Sequence, residues 1–257
     1  MAGWSGCQMP GKGKGDHTMA DRLEHVAEDW ESALAIVAHP DDLEYGAAAA
    51  VARWTGQGKR VAYCLATSGE AGIDDLPPEE CGPVREAEER AGAALVGVTE
   101  VEFLGFPDGM LEYGLPLRRA FAAAIRRHRP DVLVIISHHE SWGPGTVNQA
   151  DHIVTGRAVI DAARDAANRW VFRELAGAGL EPWKARQVLV NASSQALHAV
   201  DVTETFDLGM ASLAAHKEYL RRLGEDGNPA GFLTPMARSA GERLGTGYAA
   251  TFEVIGV

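Results

Sequence analysis

Short apolar segments alternate with longer segments of helical periodicity along most of the chain. The apolar, β-branched segments predict strands, and those at 33–38 and 132–137 do not alternate with polar residues, as expected of strands buried on both faces. The predicted strands are residues 33–38, 60–66, 100–104, 132–137, 187–192, 197–202 and 248–255. The predicted helices are residues 44–57, 84–96, 116–128, 150–166 and 206–223.

This order of elements predicts an α/β fold: a single Rossmann-like domain with a mostly parallel sheet and helices on both faces. Residues 1–18 are expected to form a flexible leader, with Met19 as an alternative start, so that the domain spans 19–257. Long connections between these elements are predicted at residues 67–83, 105–115, 138–149 and 224–247. In compact domains, loops of this length are usually functional or mobile.

Composition and charge narrow the classes of partner. A chain of 257 residues with 46% hydrophobic content suffices for one sizeable core. A net charge of -12 disfavours nucleic acid and anionic membranes as partners. No apolar stretch approaches the length of a membrane span, and no secretory segment is visible. The three cysteines have no metal-ligand spacing, which favours free thiols, a reducing compartment and a cytoplasmic location.

The segment "LAIVAHPDDLEYG" (34–46) concentrates candidate chemistry at the end of a predicted strand. His39 and Asp42 offer an imidazole nitrogen and a carboxylate, both of which suit Zn²⁺, and Pro40 fixes the turn between them. In a doubly wound sheet the loop that ends in "NQADH" (148–152) is expected beside this segment, so His152 is predicted as the third ligand. Asp41, next to the metal and not bound to it, would be the general base.

Simpler explanations exist for the same residues. Asp41 and Asp42 could cap the helix at 44–57, and Asp151 could cap the helix at 150–166. Asp151 could equally orient a metal-ligating side chain by hydrogen bonding to it. A dinucleotide-dependent dehydrogenase is disfavoured, because no G-x-G-x-x-G follows the first strand.

Four segments resemble one known family in the same order along the chain. "AHPDDLE" (38–44) resembles the signature of the LmbE-like, or PIG-L, family of zinc-dependent N-deacetylases. "REAEERAGAALVGV" (85–98) is similar to the family's Arg-x-x-Glu helix, and "LGFPDG" (104–109) to its loop after the third strand. "NQADH" (148–152) stands where the family has His-Pro-Asp-His. The resemblance extends over residues 33–220.

The resemblance implies hydrolysis of the N-acetyl group of an N-acetylglucosamine-containing small molecule or glycoconjugate, with a zinc-bound water activated by Asp41. It implies that the metal ligands are His39, Asp42 and His152. Arg85 would contact the sugar. A His₂-carboxylate set also suits Fe²⁺. Family resemblance further suggests a homo-oligomer.

One departure from the family puts proton delivery to the leaving amine in question. Gln149 replaces the first histidine of His-Pro-Asp-His, and an amide does not shuttle protons near neutral pH. Asp41 would then act as both base and acid, or His139 or His216 would substitute near the substrate. The alternatives are an amidase for another acyl group or a thiol conjugate, and a metal- or sugar-binding homologue without catalysis.

Overall fold

A computed structural model describes residues 22–223 and 229–257. The predicted leader at 1–18 and the alternative start lie outside the described residues, and the predicted loop at 224–247 does so in part. The strands are β1 (Glu24–His25), β2 (Ser32–Val37), β3 (Arg60–Leu65), β4 (Glu100–Phe103), β5 (Val132–Ile136), β6 (Ser141–Gly143), β7 (Thr146–Val147), β8 (Gln187–Asn191), β9 (His198–Asp201) and β10 (Ala249–Gly256). The helices are α1 (Ala48–Gly56), α2 (Pro78–Leu95), α3 (Leu115–His128), α4 (Ala150–Ala167), α5 (Arg173–Gly177), α6 (Phe206–Ala214), α7 (Lys217–Leu223) and α8 (Ala230–Leu244).

Eight strands form one mixed sheet in the order β1-β9-β10-β8-β5-β2-β3-β4. The strands from β4 to β8 in this order are parallel, and β10 runs antiparallel between β8 and β9. The chain order reverses between β2 and β5, which pair directly. The mostly parallel α/β fold predicted from the sequence is confirmed, and the two loops expected to be neighbours leave adjacent strand ends.

Helices cover both faces of the sheet. Alternate side chains of β2 enter two different cores: Ala35 packs with α1 and α2 on one face, and Ile36 packs with α3 and α4 on the other. Residues 33–37 of the strand are therefore all apolar, which explains why its sequence does not alternate. Trp54 of α1, fully buried against Trp30 and Phe252, anchors the first face.

Two predicted helices differ from those observed. The helix predicted at 44–57 begins only at Ala48, because residues 40–47 form a series of turns that carry the acidic residues away from the helix axis. The helix predicted at 206–223 is two helices, α6 and α7, with a break at Ala215 and His216. At the break the backbone N–H of His216 donates to the carbonyl of Leu213, three residues back, which tightens the chain and points the histidine inward.

Helix α8 lies within the predicted loop at 224–247. Gly231, Pro235 and Gly241 lower its intrinsic helix propensity, so the sequence pattern favoured a loop. Packing explains one glycine: a Cβ at Gly241 would lie 2.7 Å from the carbonyl oxygen of Gly247. α2 likewise begins at Pro78, earlier than the predicted residue 84, with proline in the first turn where its missing N–H is not needed.

Candidate active site

The candidate active site lies at the carboxyl ends of β2 and β5. The turn after β2 supplies His39, Asp41 and Asp42, and the N-terminal turn of α4 supplies Asp151 and His152. In open α/β sheets, ligands bind at the point where the strand order reverses, which in this sheet is between β2 and β5. All five residues are at least nine-tenths buried, which removes them from bulk water and strengthens their mutual electrostatics.

Three side chains converge on one point. His152 Nε2 lies 2.9 Å from Asp42 Oδ1 and 3.2 Å from His39 Nδ1, and His39 Nδ1 lies 3.7 Å from Asp42 Oδ1. The second Asp42 oxygen accepts hydrogen bonds from the backbone N–H groups of Ala38 and His39, at 3.0 and 2.9 Å. The carboxylate is therefore fixed by the backbone with one oxygen directed at the two imidazoles.

Asn148 determines which nitrogen of His152 is free. Its Nδ2 donates to the carbonyls of Ser137 and His139, at 2.8 and 2.9 Å, so its Oδ1 must be the acceptor facing His152 Nδ1 at 3.0 Å. His152 therefore carries its proton on Nδ1, and the lone pair of Nε2 points at the convergence of the three side chains.

His39 is oriented by carboxylates on its other side. Its Nε2 lies 3.0 Å from Asp108 Oδ1 and 3.4 Å from Asp151 Oδ2, so Nε2 donates to these carboxylates and Nδ1 is the nitrogen directed at Asp42 and His152. Backbone N–H groups of Gly109 and Leu111 hold Asp151 in place, at 2.8 and 3.2 Å. The orienting role that the sequence suggested for Asp151 thus has a structural basis.

Asp108 was missed as an individual residue in the sequence analysis. The motif "LGFPDG" drew attention to its loop, but only the fold brings that loop against His39. The Asp108 backbone N–H and its Oδ2 pair with Glu70 Oε1 and the Ala71 N–H, at 2.9 and 2.8 Å, which ties two long loops together. Carboxylates behind a ligating histidine fix its tautomer and raise its basicity.

The residues present fit a bound divalent cation. Two imidazole nitrogens 3.2 Å apart and a carboxylate oxygen form a group that a positive charge between them, a proton or a metal ion, stabilises. The electrostatics favour such a charge: burial opposes it, but Asp108, Asp151 and Asp42 raise the pKa of His39 to about 12. Burial also disfavours ionisation of Asp42, yet His152 and His39 hold its pKa well below the usual range. Two histidines and one carboxylate form a donor set that zinc and iron(II) both accept.

Asp41 precedes Asp42 in the chain, and its carboxylate pairs with Arg85. Its backbone adopts a left-handed conformation with φ 89°, which is uncommon for a residue other than glycine. Its N–H donates to Glu89 Oε2 at 3.0 Å, and Arg85 Nη2 lies 3.1 Å from its Oδ2. Burial raises the pKa of the Asp41 carboxyl to about 6, against the opposing charge of Arg85. A carboxyl of that pKa can accept and return a proton near neutral pH.

Arg85 is almost fully buried and packed on all sides. Its guanidinium lies over the Tyr219 ring at 4.0 Å and donates to the carbonyl of Pro40. A Cβ at Gly72 would lie 2.1 Å from Arg85 Nη1, so any other residue at this position would require the guanidinium to shift. Arg85 therefore contacts both the carboxylate of Asp41 and the backbone carbonyl of the preceding residue, Pro40.

The two histidines suggested as substitutes for Gln149 have different surroundings. His216 is fully buried among Glu44 and Glu89, 3.7 to 4.0 Å from their oxygens, and burial together with Arg85 lowers its pKa to about 3. His139 is partly exposed and its Nε2 lies 2.7 Å from Glu253. Only His139 of the two is placed to exchange a proton with solvent or a ligand.

Gln149 is the N-cap residue of α4 and is exposed. Its backbone N–H donates to Asn148 Oδ1 at 2.8 Å, and the φ and ψ of -68° and 144° direct the chain into the helix. Asp41 and Asp42 do not cap α1, whose N-cap is Ala47. The simpler capping explanation for the two aspartates is therefore wrong.

Comparison with known proteins connects this geometry to one family. Residues 34–163 match the PIG-L family, described as GlcNAc-PI de-N-acetylase. The chain is 26% identical over 198 residues to a diacetylchitobiose deacetylase of Thermococcus kodakarensis, covering 76% of this chain and 73% of that protein. It is 29% identical over 136 residues to a probable N-acetyl-alpha-D-glucosaminyl L-malate deacetylase of Bacillus anthracis, covering 50% of this chain and 58% of that protein.

The fold matches a solved structure over most of its length. The N,N'-diacetylchitobiose deacetylase of Pyrococcus horikoshii superimposes with a TM-score of 0.79 at 24% identity, covering 89% of this chain and 85% of that one. In the described parts of the chain no helix is both long and apolar enough to cross a membrane.

Proposed function

Since this chain belongs to the PIG-L family, we propose that it is a metal-dependent N-deacetylase that removes the acetyl group from an N-acetylglucosamine-containing small molecule. The observation that carries the proposal is an arrangement of four buried side chains. Three donors converge on one point where they could hold a cation, and a fourth side chain, Asp41, lies beside them with a raised pKa. The two sequence relatives described above are named as deacetylases of acetylated amino sugars.

His39, Asp42 and His152 would hold the cation, for which we propose zinc. When bound there, a divalent cation polarises an amide carbonyl and lowers the pKa of a water molecule. The tautomers of both histidines are set by Asn148 and by Asp108 with Asp151, so the lone pairs are preorganised for the ion.

Asp41 would do the proton chemistry. Its carboxylate takes a proton from water as the water oxygen bonds to the acyl carbon, and the proton then goes to the nitrogen as the C–N bond breaks, so that water and amide give amine and acetic acid. Arg85 keeps Asp41 ionised and in position. We propose that His139, held by Glu253, assists at the amine, since Gln149 cannot transfer a proton.

The test is acetate release from a simple N-acetylglucosamine glycoside by protein of counted metal content. Chelator should abolish release, and stoichiometric Zn²⁺ should restore it. Unchanged release after complete metal removal would contradict the metal-dependent reaction. One bound ion without acetate from any amino sugar would favour an amidase for another acyl group or a binding protein.

A further inference from the structure

A second group of buried donor side chains lies next to the turn that carries Asp41. Glu44 comes from that turn, Glu89 from α2, and His216 from the break between α6 and α7. One potential ligand atom from each of the three lies within 4.8 Å of the other two. None of these residues belongs to the donor set described above, so the group is a separate candidate site.

Each of the three side chains has a polar atom without a hydrogen-bond partner. The side chains of Glu44 and His216 are 0% exposed, and that of Glu89 is 1% exposed. Ser212 donates to Glu44 Oε1, and the Asp41 N–H donates to Glu89 Oε2, both at 3.0 Å. The other carboxylate oxygens and both ring nitrogens of His216 have no partner among the described residues. Buried polar atoms without partners are costly, which points to a bound group that supplies the partner.

The two carboxylates also lack a compensating positive charge. In the described parts of the chain, no lysine or arginine forms an ion pair with Glu44 or Glu89. The buried Arg85 is already paired with Asp41 at 3.1 Å. Two neighbouring carboxylates removed from water must either take up protons or bind a cation. A divalent cation would neutralise both charges.

The distances favour a cation over a proton shared with the histidine. His216 Nε2 lies 3.7 Å from Glu89 Oε2 and 4.0 Å from Glu44 Oε2. Both distances are too long for a hydrogen bond. They fit donors around one ion, because ligands bound at about 2.0 to 2.6 Å from an ion lie about 3 to 4 Å from one another.

Glu44 also borders a route from solvent. It lines a cavity of about 780 Å³ between α1, α6, α8 and β10. Phe232 and Met236 line the same cavity and are 44% and 61% exposed, so the cavity opens to solvent. An ion therefore reaches the neighbourhood of Glu44 without unfolding of the chain, and an entry path is one requirement for a metal site.

We propose that Glu44, Glu89 and His216 form a second metal site, which binds a divalent cation that accepts carboxylate ligands, with Mn²⁺ as the probe. Two carboxylates and one imidazole are suitable donors for manganese. The inference does not depend on the proposed function, because it concerns a different set of ligands. The ion would join the turn after β2 to α2 and to the α6–α7 break. Through Glu89, which accepts the Asp41 N–H, it would stabilise the left-handed backbone of Asp41.

A titration of Mn²⁺ into protein that carries one equivalent of zinc tests the site directly. Free Mn²⁺ gives a six-line electron paramagnetic resonance signal that fades on binding, so free and bound ions can be counted. We expect one Mn²⁺ per chain in addition to the zinc, which should stay in place because zinc binds nitrogen and oxygen donors more tightly than manganese. An undiminished signal of free Mn²⁺ would overturn the second site.

The variant Glu89→Gln assigns the bound Mn²⁺ to these residues. It removes one charged donor and keeps an amide oxygen for the Asp41 N–H. We expect Mn²⁺ binding to be lost and one zinc per chain to remain, which also reports an intact fold. Glu80→Gln makes the same change at an exposed position of α2 and should bind Mn²⁺ as the wild type does. Mn²⁺ binding that persists in Glu89→Gln would assign the ion to another place and overturn the inference.

Thermal unfolding separates failure of this site from failure of the proposed function. Mn²⁺ should raise the Tm of the zinc-loaded wild type and leave that of Glu89→Gln unchanged, since a bound ion stabilises only the chain that binds it. Equal shifts in the two proteins would contradict the second site. Because neither measurement needs turnover, the expected Mn²⁺ results support the site even if no amino sugar releases acetate.

Discussion

Asn148 Oδ1 accepts the Nδ1 proton of His152 at 3.0 Å and thereby directs the Nε2 lone pair toward Asp42 and His39. The replacement Asn148→Leu removes this acceptor and the two backbone contacts of the amide. We expect zinc affinity to fall by about 10- to 100-fold, because second-layer partners of ligating histidines have effects of that size. Competition with a chromophoric chelator measures it.

The control for that variant is Val147→Ala, whose side chain is 85% exposed one residue away. It should bind zinc as the wild type does. Unaltered zinc affinity in Asn148→Leu would show that the Asn148 amide does not set the tautomer of His152.

The ion pair between Arg85 and Asp41 should set the acid limb of the activity profile. Asp41 must be ionised to accept a proton, so activity is lost as pH falls through its pKa. Burial raises that pKa and Arg85 opposes the rise, so Arg85→Met should raise it further and shift the acid limb to higher pH. The measurement is kcat/KM against pH. A lower rate with an unshifted limb would contradict the electrostatic role.

Gly72 offers a steric test of the same arginine. In Gly72→Ala the new Cβ would lie 2.1 Å from Arg85 Nη1, so the guanidinium must move away from its present position near Asp41. We expect a loss of activity with zinc still bound. Gly56→Ala, where no atom lies within 4 Å of the new Cβ, should keep full activity. Full activity in Gly72→Ala would mean that Arg85 can shift without effect.

Arg126 should be the main polar contributor to stability on the α3–α4 face. Its buried guanidinium donates to five backbone carbonyls in the last turn of α4 and in the segment that follows it. These are the carbonyls of Asp165, Ala166, Asn168, Val171 and Phe172. Arg126→Met removes all five of these hydrogen bonds from the buried end of α4, although backbone N–H groups still reach four of the carbonyls, and it should lower the free energy of unfolding by about 3 kcal/mol.

The neighbouring Arg127 is the control for stability. It is half-exposed and pairs with Glu102 at the surface, so Arg127→Met should cost less than about 1 kcal/mol. Urea unfolding of both variants gives the two values. Similar losses for the two would contradict the structural role of Arg126.

The sequence predicts the sheet and the segments of the site where an apolar strand is followed directly by polar, chemically active residues. The apolar segments at 33–38 and 132–137 are strands because both faces are buried, and the histidine and acids that follow them meet because parallel strands end at one edge. The roles of His39, Asp41, Asp42 and His152 remain predictions that this geometry supports.

The rest depended on packing between distant segments. Asp108 faces His39 only because the loop after β4 crosses the edge of the sheet, and Glu89 reaches the Asp41 N–H only through the packing of α2. Neither contact leaves a local signal in the sequence. α8 was missed because tertiary contacts, such as those at Gly241, override weak helix propensity.

We propose that Asp41 moves the proton while three other residues hold the ion. The most direct measurement is acetate release together with metal content in Asp41→Asn, an isosteric change outside the ligand set. We expect one bound zinc per chain, as in the wild type, and a loss of turnover of at least about 100-fold. Wild-type turnover with full metal content would contradict the assignment of Asp41 as the base.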